Sequence, residues 1–419
     1  MFVYKYQETM ARFEFDLLIA GAGPAGCTLA LNLAGTGLRI AVIEKDIFPR
    51  NKICGDALSG KVLNVMKRIP GNVYDDFLQN VNKIPSWGIR FTAPNSHSID
   101  VPFQADRLPG TPPPGYVCKR NDFDNFLFEQ LKAHSNIRVF QGERILEVST
   151  GTGGALVKTE NHEFYGQVIA GADGVHSFVR KSLNRRSVDK RHFCVGIRAY
   201  YENVTGLHPE NFIELIFLKE LLPGYFWIFP STGGHANIGF GMLQDQVIRR
   251  KENLTNIFHD LITSHPLLAP RFINAKPAGK SGAHTLPLGT LDFNRSGERY
   301  VLLGDAAFLV DPFSGEGIGN AMASGEIAAS ILDACFNRQD FSASSLKAYD
   351  VRIGKRFSQE FKTTAIMQRL AHSAWLFNMV IDKARKNRDV SGLLTAMFTN
   401  EDIKKKLTRP GFYAGLLLK

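Results

Sequence analysis

Short apolar runs alternate with polar, glycine-punctuated stretches along the chain, and the first strong run is FDLLIA, Phe15 to Ala20. It leads directly into GAGPAG, after which CTLALNLAGTG has helical character and LRIAVI, Leu38 to Ile43, returns as a second strand ending at Glu44. Runs of this length bounded by glycine predict buried strands, and the segment between them predicts a helix. Further apolar runs precede Gly171, Asp173 and Gly174, and again Gly304 and Asp305. The clearest period-2 alternation is PGYFWIFP, Pro223 to Pro230, which puts Tyr225, Trp227 and Phe229 on one face of a strand and Phe226 and Ile228 on the other. Three rings on one face either pack a core, the simpler reading, or line something.

This pattern predicts an interleaved architecture of α/β and α+β character. A Rossmann-like domain is expected from residues 1–84, 119–183 and 291–345, and an antiparallel-sheet domain from 85–118 and 184–290. Residues 346–419 read as a basic helical region without a further motif. The length of 419 residues is more than one core usually holds, which agrees with two or three domains.

Composition narrows the class. There is no leading charged-then-apolar signal and no run of about 18 apolar residues, so a soluble or peripheral protein is expected. Five cysteines, Cys27, Cys54, Cys118, Cys194 and Cys335, lie far apart and form no CxxC pair. Neither a zinc site nor a disulfide framework is indicated, and a reducing cytoplasm fits best. The net charge of +10 is concentrated at one end, where Leu346 to Lys419 carries 15 Lys or Arg against 6 Asp or Glu. With SAWLFNMVIDKARK at helical spacing, that end suits an anionic membrane surface or an acidic partner, although a solvated basic face is the plainer reading. No nucleic-acid reader motif accompanies the charge.

The glycines of GAGPAG, Gly21, Gly23 and Gly26, serve a tight turn, close approach of a pyrophosphate, and close helix-on-strand packing. Phosphate then meets the free amides and positive dipole end of a helix N-terminus. Glu44 suits ribose hydroxyls and disfavours a 2′-phosphate, so FAD or NAD is expected before NADP. Gly21, Gly23, Ala25, Gly26, Glu44 and the adjoining Lys45 are the candidate nucleotide contacts.

The two distant glycine–acid stretches give the chain a specific resemblance. HEFYGQVIAGADGVHSFVRKSL, with Asp173, and RYVLLGDAAFLVDPFSGEGIGNAMASGEIAA, with Asp305 and the turn from Gly315 to Gly319, resemble motifs of the FAD-dependent oxidoreductase superfamily that includes p-hydroxybenzoate hydroxylase. By that resemblance Asp305 would hold the ribityl chain and the amides around Gly317 and Ile318 would face the flavin N1 and C2 oxygen, where a positive dipole end stabilises the reduced ring. One departure stands at Gly319, where p-hydroxybenzoate hydroxylase has an asparagine; here Asn320 follows instead.

Within the superfamily the chain is most similar to the geranylgeranyl reductase family. FPRNKICGDALSG resembles that family's stretch beside the isoalloxazine, which would put Cys54 and Gly55 against the flavin. YVCKRNDFDNFLFEQL resembles its Arg-x-x-Phe-Asp element, which would put Arg120 on the FAD phosphates or ribityl chain, and Arg144 opens the strand that would pass the adenine. PGYFWIFP is similar to its Tyr-x-Trp-x-Phe-Pro signature, with Pro223 one residue closer to the tyrosine, and implies that Tyr225, Trp227 and Phe229 wall a substrate pocket.

The activity implied is FAD-dependent reduction of isoprenoid-type carbon–carbon double bonds on an apolar or carrier-bound substrate, by hydride from flavin N5. NAD(P)H or another external donor would supply the electrons. Cys54 and Glu316 are the candidate proton donors. Asp56 reads as a turn or helix cap, the lone histidines His235, His284 and His372 carry no catalytic pattern, and nothing suggests a metal. The rival chemistries are hydroxylation through oxygen activation and, further off, halogenation; halogenases carry Trp-x-Trp-x-Ile-Pro where this chain has Tyr225 and Phe229. An electron-transfer flavoprotein would need an iron–sulfur partner, for which no clustered cysteines exist. A lipid carrier on the same fold would need neither the ribose acid nor the flavin turn.

Overall fold

The strand after the N-terminal polar stretch, Leu17–Ala20, is buried throughout, as are Ile40–Glu44, Val168–Gly171 and Tyr300–Leu302. Strands apolar on both faces must be covered on both faces, the condition of a parallel sheet flanked by helices. The computed structural model, which describes residues 11–104, 110–184 and 186–387, places these strands side by side in a six-stranded sheet completed by Ile137–Gln141 and the short edge Ser296–Gly297. Every pairing is parallel except that of the edge strand. The Pro24–Asn32 helix follows the first strand, and its close approach depends on glycine: a Cβ on Gly26 would lie 2.0 Å from the carbonyl oxygen of Gly21.

A second, eight-stranded sheet contains Gly88–Thr92, Ser98–Pro102, Phe193–Glu202, Ile213–Ile216, Tyr225–Pro230, His235–Leu243 and Gly282–Pro287, with Lys276–Pro277 at its edge. It is antiparallel apart from one pair: Ile213–Ile216 runs parallel to Gly88–Thr92, joining two segments far apart in sequence. Tyr225–Pro230 lies inside this sheet between Ile213–Ile216 and His235–Leu243. Its two faces divide as the alternation predicts. Phe226 and Ile228 are fully buried in an apolar core with Phe258 and Phe272, while Tyr225, Trp227 and Phe229 face the opposite way.

The long Ala343–Leu370 helix lays Leu346, Tyr349, Ile353, Phe357 and Phe361 into the core around the parallel sheet, and the Tyr349 hydroxyl donates to the Leu302 carbonyl at 2.7 Å. Its apolar face is therefore covered by the protein's own core. Ala374–Lys386 packs against the eight-stranded sheet, with Phe377 and Phe217 ring centroids 4.2 Å apart. Among the described residues no helix is long and apolar enough to cross a membrane. The last part of the basic tail, 388–419, lies outside the described residues.

Candidate functional site

A cavity of about 1100 Å³ opens between the two sheets. Residues just past the C-terminal ends of four parallel strands line it, namely Gly21, Lys45, Ala172 and Leu303, and the second sheet contributes its aromatic stripe. Ligands bind at such ends in open α/β sheets because the loops there are free to be shaped. The volume exceeds the about 300–1,000 Å³ of a typical small-molecule site, leaving room for a dinucleotide and a second molecule.

At one end the strand–turn–helix unit makes an anion cradle. Gly21 has φ +101, a left-handed conformation that glycine adopts freely. Gly23 begins the helix with no side-chain cap, and the nearest atom to a Cβ there would be the Arg50 Nη2 at 3.6 Å, so the space before the helix is open. The Glu44 carboxylate accepts from the amides of Ala22 at 2.8 Å and Asp46 at 3.0 Å, tying the second strand to the glycine turn. Ala25, Lys45 and Arg144 also line the cavity, Arg144 exposed beside Glu160. Gly26 does not line it; it is occupied in packing against Gly21.

At the other end the Gly315–Gly317 turn leads into the 21-residue Ile318–Arg338 helix, whose first amides also have no side-chain cap. Gly315, Gly317, Ile318 and Asp305 line the cavity, and Asp305 faces the Lys52 ammonium at 3.5 Å. Gly319 does not line it; a Cβ there would meet the Glu316 carboxylate and the Lys61 side chain. Asp173 lines the cavity while its Oδ2 accepts from the Phe178 and Val179 amides at 2.6 and 3.1 Å, and burial pushes its carboxyl up from the usual range.

Cys54 and Gly55 sit where the roof meets this floor. Gly55 is pressed against the Phe229 ring, and the Cys54 carbonyl accepts from Asn237 Nδ2 at 2.8 Å. Asn237 is fully buried and also accepts from Trp227 Nε1 at 3.0 Å and donates to Asp56 Oδ2 at 2.8 Å. Asp56 is buried at φ +70, takes the Tyr200 hydroxyl at 2.5 Å, and receives the Arg120 amide at 3.3 Å. It is thus a turn residue and a cap, for the helix that starts at Arg120 rather than for the one after it. Tyr225 donates its hydroxyl to the Ser314 carbonyl at 2.5 Å, so the aromatic stripe touches the glycine turn.

Arg50, His284 and Lys61 of this site carry no spacing signal in the sequence, and Arg120, expected on the FAD, is held by its own helix. Arg120 commits its guanidinium to Asp124 at 2.6 and 2.7 Å, whereas Arg50, which reaches the same carboxylate at 3.2 Å, keeps a buried Nε without a hydrogen-bond partner at the cavity wall. His284, 232 residues from Lys52 in sequence, lies 3.3 Å from its ammonium, and burial together with that cation pulls the imidazole down to about 4. Lys61 joins Glu316 and Glu360 at the far wall. Glu316 therefore faces the cavity and not bulk solvent, its carboxylate taking the Ser59 hydroxyl.

Two uncapped helix N-termini, a ribose-suited acid and an orphan arginine donor around one large cavity fit an anionic dinucleotide with a ring to be cradled. Residues 14–359 match the FAD binding domain family. The chain belongs to that family. It is a FAD-dependent oxidoreductase.

Curated relatives of this FAD-dependent chain include reductases. It is 27% identical over 329 residues to menaquinone reductase of Mycolicibacterium smegmatis, covering 76% of each protein. It is 28% identical over 354 residues to digeranylgeranylglycerophospholipid reductase of Thermoplasma volcanium, covering 83% of this chain and 85% of the other. Among solved structures, a geranylgeranyl bacteriochlorophyll reductase-like protein from Thermoplasma acidophilum superposes with a TM-score of 0.77 at 22% identity, over 95% of this chain and 99% of that one.

Proposed function

We propose that this protein saturates carbon–carbon double bonds of a long, apolar, isoprenoid-type substrate. The observation that carries the reading is the sharing of one cavity by two amide cradles and an apolar wall of Tyr225, Trp227, Phe229, Leu215, Ile213 and Phe313. Apolar and aromatic lining supplies most of the burial of such a ligand. The reductase relatives, whose names specify a quinone and a prenylated lipid, support the same class.

Bound FAD supplies hydride chemistry, with electrons from NAD(P)H or another external donor. The chain's own residues do the rest. The amides after Gly23 would hold the pyrophosphate and those after Gly317 the negative charge of the reduced ring, Glu44 and Arg50 would hold the nucleotide half, and Asp305 with Lys52 would set the polar edge between them. Trp227, held by Asn237, and Tyr225, held by Ser314, are wall residues that cannot swing, so a substrate chain lying on them is oriented. Their rings keep the reacting carbons dry.

The test is anaerobic incubation of reduced holoprotein with geranylgeranyl lipids and with menaquinone, read by mass spectrometry. A gain of two hydrogens per saturated bond supports the proposal. Turnover only in oxygen, with oxygen incorporated into product, replaces it by hydroxylation; protein that purifies colourless and takes up no FAD replaces it by a carrier.

A further inference from the structure

Saturating an alkene consumes one proton per turnover, and a chamber walled by rings must obtain it from a side chain. The acids that line the cavity divide sharply by what they already hold. Glu44 is tied to two backbone amides, Asp56 to Tyr200, Asn237 and the Arg120 amide, Asp173 to the Phe178 helix, and Asp305 to Lys52. Glu143 is taken up by Thr159 and His162, and Asp46 lies half exposed beside Arg50. The Tyr225 phenol has its proton on Ser314, and burial pushes it well up from its ordinary range.

Among the carboxyls, what remains is a compact group at the wall where the aromatic stripe meets the glycine turn. Lys61 donates to Glu360 at 2.5 Å and to Asn320 Oδ1 at 3.3 Å, and lies 3.6 Å from Glu316. Glu360 also faces Arg356 at 3.6 Å on its own helix. Asp311 is buried and accepts from the Phe313 and Ser314 amides and the Ser314 hydroxyl at 2.8–3.0 Å. Further polar groups at the cluster, among the described residues, include Ser59 on Glu316 and, from the long helix, Thr363 and Thr364 at the cavity wall. Three carboxyls thus stand against two cations in a largely dry place, and like charges so disposed retain a proton among them.

We infer that Lys61, Glu316, Glu360 and Asp311 form the proton input of the proposed reduction, with Glu316 as the acid at the chamber and Lys61, Glu360 and Asp311 as the charges packed around it. Glu316 is the most open of the three carboxyls, with a side chain 23% exposed against 9% for Glu360. In the step, the Glu316 O–H bond breaks and its proton forms a C–H bond at one alkene carbon. The other carbon takes hydride from the reduced cofactor, leaving a single bond and a Glu316 carboxylate. The Glu316 carboxylate then takes a proton back from water entering the cavity, while the Lys61 ammonium stays paired with it and with Glu360. Two further directions agree with the geometry. Burial alone would lower the Lys61 ammonium, but Glu316 and Glu360 outweigh it and hold it above its ordinary range, and burial raises the Asp311 carboxyl.

This inference rests on the reductase reading, and the experiment separates the two. Single-turnover alkene reduction by reduced holoprotein is followed across pH for wild type, Glu316→Gln, Glu316→Asp and Glu360→Gln. Carboxyl-carbon NMR of protein labelled at Asp and Glu is recorded in parallel. Glu316→Gln should slow reduction about 10²–10⁴-fold, the usual weight of a general acid, and Glu316→Asp should restore part of it. Glu360→Gln removes the excess carboxyl and should move the alkaline fall of the rate to lower pH. In the NMR titration a carboxyl of the wild-type cluster should keep its proton above the ordinary carboxyl range, as burial raises Asp311, and Glu316→Gln, which removes a neighbouring negative charge, should move that titration down. Wild-type rate and pH profile in Glu316→Gln, or ordinary titration of all three carboxyls, would overturn the inference. If wild type leaves every prenyl alkene untouched, the reductase reading fails, and the NMR titration still decides whether the cluster stores a proton.

Discussion

Asn237 donates a hydrogen bond to the carbonyl of Cys54 across 183 residues of sequence, and so fastens the roof of the cavity to the loop on its floor. The amide is used completely. Its oxygen takes the Trp227 indole and its nitrogen serves both Cys54 and Asp56, which fixes its orientation without ambiguity. Chamber width near Cys54 is therefore set by a rigid polar tie between the eight-stranded sheet and the Cys54 loop, not by apolar contact alone.

Asn237→Leu keeps the volume and removes all three bonds. It leaves the Trp227 indole, the Cys54 carbonyl and the Asp56 carboxylate short of a partner in a buried place, at about 1–3 kcal/mol for each group left unsatisfied. A clear fall in the denaturation midpoint is expected, with an unchanged denaturant slope. A midpoint equal to wild type would show that the tie contributes nothing.

The second and third glycines of GAGPAG should behave differently when given a methyl group. At Gly26 the added carbon would collide with the Gly21 carbonyl at 2.0 Å, so Gly26→Ala should fail to accumulate as folded protein. At Gly23 it would meet only Arg50 Nη2 at 3.6 Å but would stand in the open space before the helix. Gly23→Ala should fold and lose FAD, as read by flavin fluorescence during reconstitution. Unchanged flavin affinity would place the phosphates elsewhere.

Glu44 tests the nucleotide half. A charged hydrogen-bond acceptor is worth about 1.5–3 kcal/mol, so Glu44→Ala should weaken FAD about 10–100-fold. Because Glu44 also holds the Ala22 amide, Glu44→Gln should lose less than Glu44→Ala in the same titration.

His284 gives a signed pH dependence. Its folded-state value of about 4 lies below the ordinary 6.5, so between those two pH values the unfolded chain binds more protons than the native one. Stability should fall as pH drops from about 6.5 towards 4, and His284→Gln should remove that part of the slope. Parallel stability curves for the two proteins would contradict the burial of a neutral imidazole beside Lys52.

Local patterns of the sequence located the fold and part of the cavity wall, for physical reasons that also mark where they stop. GAGPAG with its flanking strands, and the alternation of PGYFWIFP, are set by backbone sterics and periodicity inside one short segment, so they are visible in that segment. The Lys52–His284 and Lys61–Glu360 contacts join residues 232 and 299 positions apart, and a single lysine or histidine has no period to betray it. The parallel pairing of Ile213–Ile216 with Gly88–Thr92 is hidden for the same reason. Gly26 and Gly319 carry the motif spacing yet point into packing, since spacing fixes a helix face and not what lies against it.

Trp227 separates orientation from mere burial. Its ring lies in the chamber wall between Tyr225 and Phe229, with centroids 6.4 and 6.3 Å away, while its indole nitrogen is pinned by Asn237. Trp227→Phe keeps an aromatic wall and frees it to move; Trp227→Leu removes the wall. On the proposed function, the phenylalanine variant should keep substrate affinity and lose rate, because a near-attack geometry is lost while apolar contact remains. The leucine variant should raise KM as well, by about tenfold for the loss of some 1.5 kcal/mol of apolar burial. Steady-state kinetics with a prenyl substrate, alongside flavin absorbance to verify that FAD is still bound, reads both effects. If both variants changed KM alone, Trp227 would be a passive surface, and the tie to Asn237 would serve the fold only.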